Sequence, residues 1–166
     1  MAVLQNTVPH LQDIKFSVAI TTGAMSVISL TSALGKFGFG WLSDRIPAKY
    51  AATIGMGLQL CGIILFILVG SASQAPLVWI SIILFGLGVG SWLPTMSMMT
   101  GRQFGLLFYG SIFGVIIMFQ TLGSALGPFF AARMYDSIGN YNWAFIICAI
   151  TYVVSIPFML MLKKPK

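Results

Sequence analysis

Hydrophobic residues run through this chain in long unbroken stretches, and the charges mark where those stretches stop. Charged side chains occur at Asp13, Lys15, Lys36, Asp44, Arg45, Lys49, Arg102, Arg133, Asp136, Lys163, Lys164 and Lys166, leaving charge-free runs at 16–35, 50–101, 103–132 and 137–162. A helix rises about 1.5 Å per residue, so roughly 20 residues cross a hydrocarbon layer of about 30 Å. The run 50–101 holds two such lengths, and Ser71-Ala72-Ser73-Gln74-Ala75-Pro76 divides it with turn-forming residues. The pattern predicts five helices, at about 17–42, 50–70, 77–100, 104–132 and 143–162. The first reaches past Lys36, whose long stem can snorkel to the interface. Membrane strands would need alternating polarity over about ten residues, which this sequence lacks. The expected fold is all-α, a polytopic transmembrane helix bundle in a single domain over 1–166.

Composition supports the same class. Hydrophobic residues make up 58% of the chain and charged ones 7%, with a mean hydropathy of +0.95. A soluble domain carries about 25% charged residues because it must present a wettable surface. The formal net charge of +6 does not point to nucleic acid, because the cations are spread over loops and form no basic stripe. They sort by membrane side instead. With alternating helices, Lys36, Arg45, Lys49, Arg102, Lys163, Lys164 and Lys166 share one face, and Lys15 and Arg133 the other. Positive charge near span ends stays in the cytoplasm, so a cytoplasmic C-terminus and an external N-terminus are expected.

Met1 to Pro9 has no basic start, apolar core or cleavage site of a signal peptide. With an odd number of spans, this suggests a chain lacking its N-terminal beginning. Cys61 and Cys148 fall mid-span on different helices and read as small buried apolar residues, implying neither a disulfide nor a metal site.

The sharpest local signal is Gly35-Lys36-Phe37-Gly38-Phe39-Gly40-Trp41-Leu42-Ser43-Asp44-Arg45-Ile46-Pro47-Ala48-Lys49, between the first two spans. Gly40 is expected to let two helices approach at a tight turn. Asp44 is an acid in a loop biased to positive charge. Its candidate partners are Arg45, Lys49 or the positive end of a neighbouring helix. The alternative is a solvated loop with a chance acid.

The Gly-x-Leu-(Ser/Ala)-Asp-Arg-x-x-x-Lys pattern resembles the signature of the major facilitator superfamily. Gly40, Leu42, Ser43, Asp44, Arg45 and Lys49 match it, while Pro47 stands where the family usually has glycine. The segment Val8–Ser17 is similar to the junction of helices seven and eight in the oxalate/formate-antiporter and monocarboxylate-transporter branch. Phe85-Gly86-Leu87-Gly88-Val89-Gly90 looks like that branch's tenth helix. Gly123-Ser124-Ala125-Leu126-Gly127-Pro128, with Asp136 and Tyr141 downstream, looks like the end of its eleventh. The resemblance implies a C-terminal half, helices eight to twelve, of a transporter in the cell membrane that moves a small solute by alternating access. Its counterparts would be the lipid bilayer and a missing N-terminal half, in the same or a separate chain. The alternative is a truncated or split-gene subunit inactive by itself.

Such transporters bind solute near the bilayer midplane between two rocking halves. The resemblance puts the first, third and fourth spans near that cavity and the second and fifth towards lipid. Thr22, Ser26, Ser29 and Lys36 share one face of the first span, Trp92 sits among polar neighbours in the third, and Gln120 and Ser124 lie one turn apart in the fourth. Thr22, Ser26, Ser29, Trp92, Gln120 and Ser124 are therefore candidate path-lining residues, against a purely structural role in bonding their own helix. Gly40, Asp44, Arg45 and Lys49 would form the conformational motif. An organic-anion solute finds little support, because Lys36 is the only basic residue within a span and lies near its cytoplasmic end.

Gly86/Gly90, Gly110/Gly114 and Gly123/Gly127 have spacing suited to packing within the chain. Trp41, Trp79, Trp143, Tyr50 and Tyr141 form an expected interfacial belt. His10 is the only histidine and lies in an outer loop, and no nucleophile–base, acid or metal-ligand pair falls inside a span. Neither an enzyme nor a cofactor is expected.

Overall fold

The computed structural model describes residues 18–69, 75–138 and 142–162. Val8–Ser17, the break at 71–74, Tyr141 and the terminal lysines Lys163, Lys164 and Lys166 lie outside the described residues, as does the side chain of Asp136. Five helices follow in order: α1 Val18–Arg45, α2 Ala48–Leu68, α3 Ala75–Phe104, α4 Tyr109–Ile138 and α5 Asn142–Met161. No strand occurs among the described residues. The fold is an all-α bundle, as the charge-free runs predict.

Helices α3 and α4 run about one turn further than their hydrophobic runs suggest, because Arg102 and Arg133 sit inside helices rather than ending them. α1 stops where proline forbids it to continue. Ile46 N donates to the Leu42 carbonyl at 2.9 Å, and Pro47 then opens α2 with φ −55° and ψ 126°. α3 ends on Gly105, whose φ of +74° is the left-handed conformation of a helix C-cap, with its N–H bonded to the Gly101 carbonyl at 3.1 Å.

By length and composition, α2, α3 from Pro76 and α4 to Tyr135 can each cross a membrane, while Phe145–Met161 is a shorter apolar helix. α1 is long enough, but Thr21, Thr22, Ser26, Ser29, Thr31, Ser32 and Lys36 dilute its hydropathy. Ser26, Ser29 and Thr31 spend their hydroxyls on their own helix, as where Ser29 Oγ donates to the Met25 carbonyl at 2.9 Å and Thr31 Oγ1 to that of Val27 at 2.7 Å.

α3 is the central helix, packed along its length against α1 on one side and α2 on the other, with α5 against α2. The core joins Ala24 and Ile28 of α1, Ile63 and Phe66 of α2, Val78, Ile82 and Phe85 of α3, and Phe145 of α5. Phe66 and Phe145 stack with centroids 6.2 Å apart. In lipid such contacts hold helices by close packing rather than by escape from water. α1 and α3 approach closely at Gly90 and Gly35, where a Cβ on Gly90 would strike the Ser32 carbonyl oxygen and lie 2.8 Å from the Gly35 Cα.

Two expectations about small residues are corrected. A Cβ on Gly40, Gly110, Gly114 or Gly123 would meet open space. Gly40 therefore packs against nothing among the described residues, and the helix contact is made five residues earlier by Gly35. The α4 glycines are open because α4 touches its neighbours little, and Ala131 is its one buried side chain among those described. Cys61 is also exposed, on the outer side of α2, while Cys148 is half-buried; both are free thiols.

Candidate functional site

Between α1, α3 and α4 the bundle opens into a cleft of about 640 Å³. Its polar lining comes from Ser29, Ser32 and Lys36 of α1, Gln59 of α2, Trp92 of α3, Gln120 and Ser124 of α4, and Tyr152 of α5. Ile28, Phe85, Val89, Leu93 and Ile117 supply apolar wall. The spacing of the polar residues explains their convergence. Ser29, Ser32 and Lys36 recur every three or four residues on one stripe of α1, and Gln120 and Ser124 do so on α4.

Of the six candidate path residues, the cleft gathers Ser29, Trp92, Gln120 and Ser124. Thr22 and Ser26 are exposed and outside its lining, because the cleft begins at Ile28 and they lie nearer the start of α1. Ser124 Oγ donates to the Gln120 carbonyl at 2.9 Å, the same local bond that Ser29 makes. Each hydroxyl keeps its oxygen as an acceptor towards the cleft. Ser91 and Thr95, which flank Trp92, are buried and spend their hydroxyls on the helix around Pro94: Ser91 on Gly88, and Thr95 on Ser91 and Trp92.

Gln59 and Tyr152 come from helices expected to face lipid. The Tyr152 hydroxyl donates to Gln59 Oε1, and Gln59 Nε2 donates to the Gly88 carbonyl at 2.9 Å. Gly88 makes this possible, since a Cβ there would fall 2.7 Å from the Gly55 carbonyl and also strike Gln59 itself. The one available sequence signal was an amide midway along the expected span 50–70.

The Asp44 motif lies at one end of the bundle, beside a second cavity of about 400 Å³ that gathers Asp44, Arg45, Lys49, Arg102 and Gln103. Arg102 Nη2 donates to the Ser43 carbonyl at 3.0 Å, tying the end of α3 to that of α1. Lys49 Nζ donates to the Leu162 carbonyl at 3.0 Å and to that of Leu160 at 3.4 Å, capping α5. The Arg45 guanidinium lies 4.4 Å from the centre of the Trp41 ring. The two expected cationic partners of Asp44 are thus engaged elsewhere, and among the described residues Asp44 is exposed with no ion pair.

Long apolar helices around a polar cleft, with cationic turns at their ends, define an integral membrane helix bundle. The sequence matches the Major Facilitator Superfamily over residues 1–166, and the chain belongs to that superfamily. It is similar to human monocarboxylate transporter 12, 26% identical over 154 residues that cover 89% of this chain and 29% of that protein. Rat monocarboxylate transporter 13 is 24% identical over 143 residues, covering 84% of this chain and 32% of that protein. Human monocarboxylate transporter 14 is 28% identical over 137 residues, covering 81% and 26%. The chain therefore spans about a third of the length of the curated relatives it matches. No solved structure matches it.

Proposed function

We propose that this chain forms part of a secondary transporter that carries a small polar solute by alternating access, with the cleft between α1, α3 and α4 as part of the solute path. The observation that carries this is the cleft itself. Its volume of about 640 Å³ lies within the roughly 300–1,000 Å³ of small-molecule sites. Its hydroxyls and amides lie on apolar helices where polar groups are otherwise expensive. A monocarboxylate is the first solute to test, because the relatives carry that name and the cleft lining, unlike the sequence pattern alone, brings Lys36 beside its polar groups. On this reading the protein sits in the cell membrane with the Asp44 motif and the C-terminus on the cytoplasmic side, where the positive charges gather.

A second helical body, in the same or a separate chain, completes the carrier. Inverted repeats are common in such folds. If α1 and α2 correspond to α4 and α5, then α3 corresponds to a helix that would pack on α4 and α5 as α3 packs on α1 and α2. The openness of α4 supports that arrangement. The chain by itself would then transport nothing.

Uptake of a labelled short-chain monocarboxylate into sealed vesicles tests the reading, using the chain together with the body that completes it. Gln120→Leu should lower uptake at least fivefold at equal protein level. Unchanged uptake would remove the cleft from the solute path. Vesicles holding the chain alone should be inert, and flux from them would favour a self-sufficient oligomeric carrier.

A further inference from the structure

The geometry points to a binding site for the phosphate of an anionic phospholipid headgroup in the cavity between Arg45, Lys49 and Arg102. The ends of four helices meet there: α1 through Asp44 and Arg45, α2 through Lys49, α3 through Arg102 and Gln103, and α5 through Leu162. Three cations line about 400 Å³, against one acid. The protein bonds at this end leave donors over. Arg102 uses Nη2 on one carbonyl, and a guanidinium has five N–H groups in a fork that fits phosphate. Lys49 gives two of its three protons to α5, and Arg45 is held by the Trp41 face without a hydrogen bond being consumed. α2 begins at the same cavity with no side-chain cap on its first turn, which adds backbone N–H groups of the right polarity.

The source of the phosphate follows from what flanks the cavity. Trp41 and Tyr50 are exposed at 59% and 43%, and each lies beneath a cation of the site, Arg45 at 4.4 Å and Lys49 at 5.2 Å. Exposed tryptophan and tyrosine beside span ends sit at headgroup depth, and basic pockets between membrane helices suit anionic headgroups. The cavity thus opens where lipid phosphates lie. A lipid held there would bridge all four helix ends, and Asp44 beside it would disfavour a second phosphate. The site does not depend on transport activity.

The test uses the full 166-residue chain in detergent micelles, titrated with short-chain phosphatidylglycerol, with phosphatidylcholine of equal chain length and with inorganic phosphate, followed by native mass spectrometry. Phosphatidylglycerol should bind at least tenfold more tightly than phosphatidylcholine. The double variant Arg45→Gln/Arg102→Gln should lose at least tenfold of that affinity, and Arg45→Lys/Arg102→Lys should recover part of it. Arg133→Gln, at the other end of the bundle, should bind as the parent does. Helical circular dichroism of each variant separates loss of the site from loss of the fold. Equal affinity for the two lipids, or full binding by a folded Gln double variant, would overturn the site. Displacement of the lipid by equimolar inorganic phosphate would overturn its assignment to a lipid.

Discussion

Tyr152 donates its hydroxyl to Gln59 Oε1, joining α5 to α2 at the edge of the cleft, and the same amide holds α3 through the Gly88 carbonyl. Three helices therefore share one side-chain amide. A hydrogen bond between membrane helices contributes about 0.6 kcal/mol on average and up to about 1.7. A buried acceptor left unpaired costs about 1–3 kcal/mol. Tyr152→Phe should destabilise the bundle by about 1–2 kcal/mol in detergent unfolding. The double variant Gln59→Leu/Tyr152→Phe should be more stable than the sum of the single losses. Strict additivity would show that the bond is not formed.

The two glycines of the α1–α3 contact and the glycine of the motif should behave in opposite ways. Gly90→Ala places a Cβ 2.8 Å from both the Gly35 Cα and the Lys36 nitrogen, and overpacking of this kind costs about 1–3 kcal/mol. Gly40→Ala meets open space and removes a flexible residue from a helix, so it should be neutral or stabilising by up to about 1 kcal/mol. Thermal unfolding of the two variants side by side checks this.

Ser43 is fully buried, and its Oγ has no hydrogen-bond partner among the described residues. Ser43→Ala removes an unsatisfied polar atom while leaving the carbonyl that Arg102 binds. The variant should be at least as stable as the parent, with a gain of up to about 1–2 kcal/mol. A clear loss would mean that the hydroxyl has a partner in the membrane.

Lys49 caps the last turn of α5 from the start of α2. Lys49→Met keeps the stem but removes the donor, and a lost cap costs about 0.5–1.5 kcal/mol. Hydrogen exchange should quicken in the last turn of α5 and stay unchanged in α3. Equal protection throughout would show that the cap contributes nothing.

The helices were legible in the sequence because lipid demands unbroken apolar length, and charges can be read directly as its limits. Their ends were less so: Arg102 and Arg133 continue helices into the interface, where long side chains reach water. Four of the six candidate residues lie in the cleft because a helical stripe keeps its face, and Ser29, Gln120 and Ser124 show this plainly. Thr22 and Ser26 share the stripe but not the depth, which periodicity does not report. Gln59 and Tyr152 were missed because their helices were assigned to lipid as wholes, while a single amide or phenol can turn inward from such a helix. Of the partners that charge suggests for Asp44, Lys49 and Arg45 find a helix end and an indole ring instead, and the exposed acid agrees with the alternative of a solvated loop.

If the cleft carries solute it must admit water, and thiol accessibility reads that out. In a background of Cys61→Ser and Cys148→Ser, single cysteines would replace Ser29, Ser124 and, outside the cleft on α5, Val154, which is 52% exposed. The membrane-embedded chain would then meet a charged, water-soluble thiol reagent. Ser29→Cys and Ser124→Cys should be modified, while Val154→Cys, facing lipid, should not. Failure of both cleft cysteines to react, with the helices intact, would contradict the account.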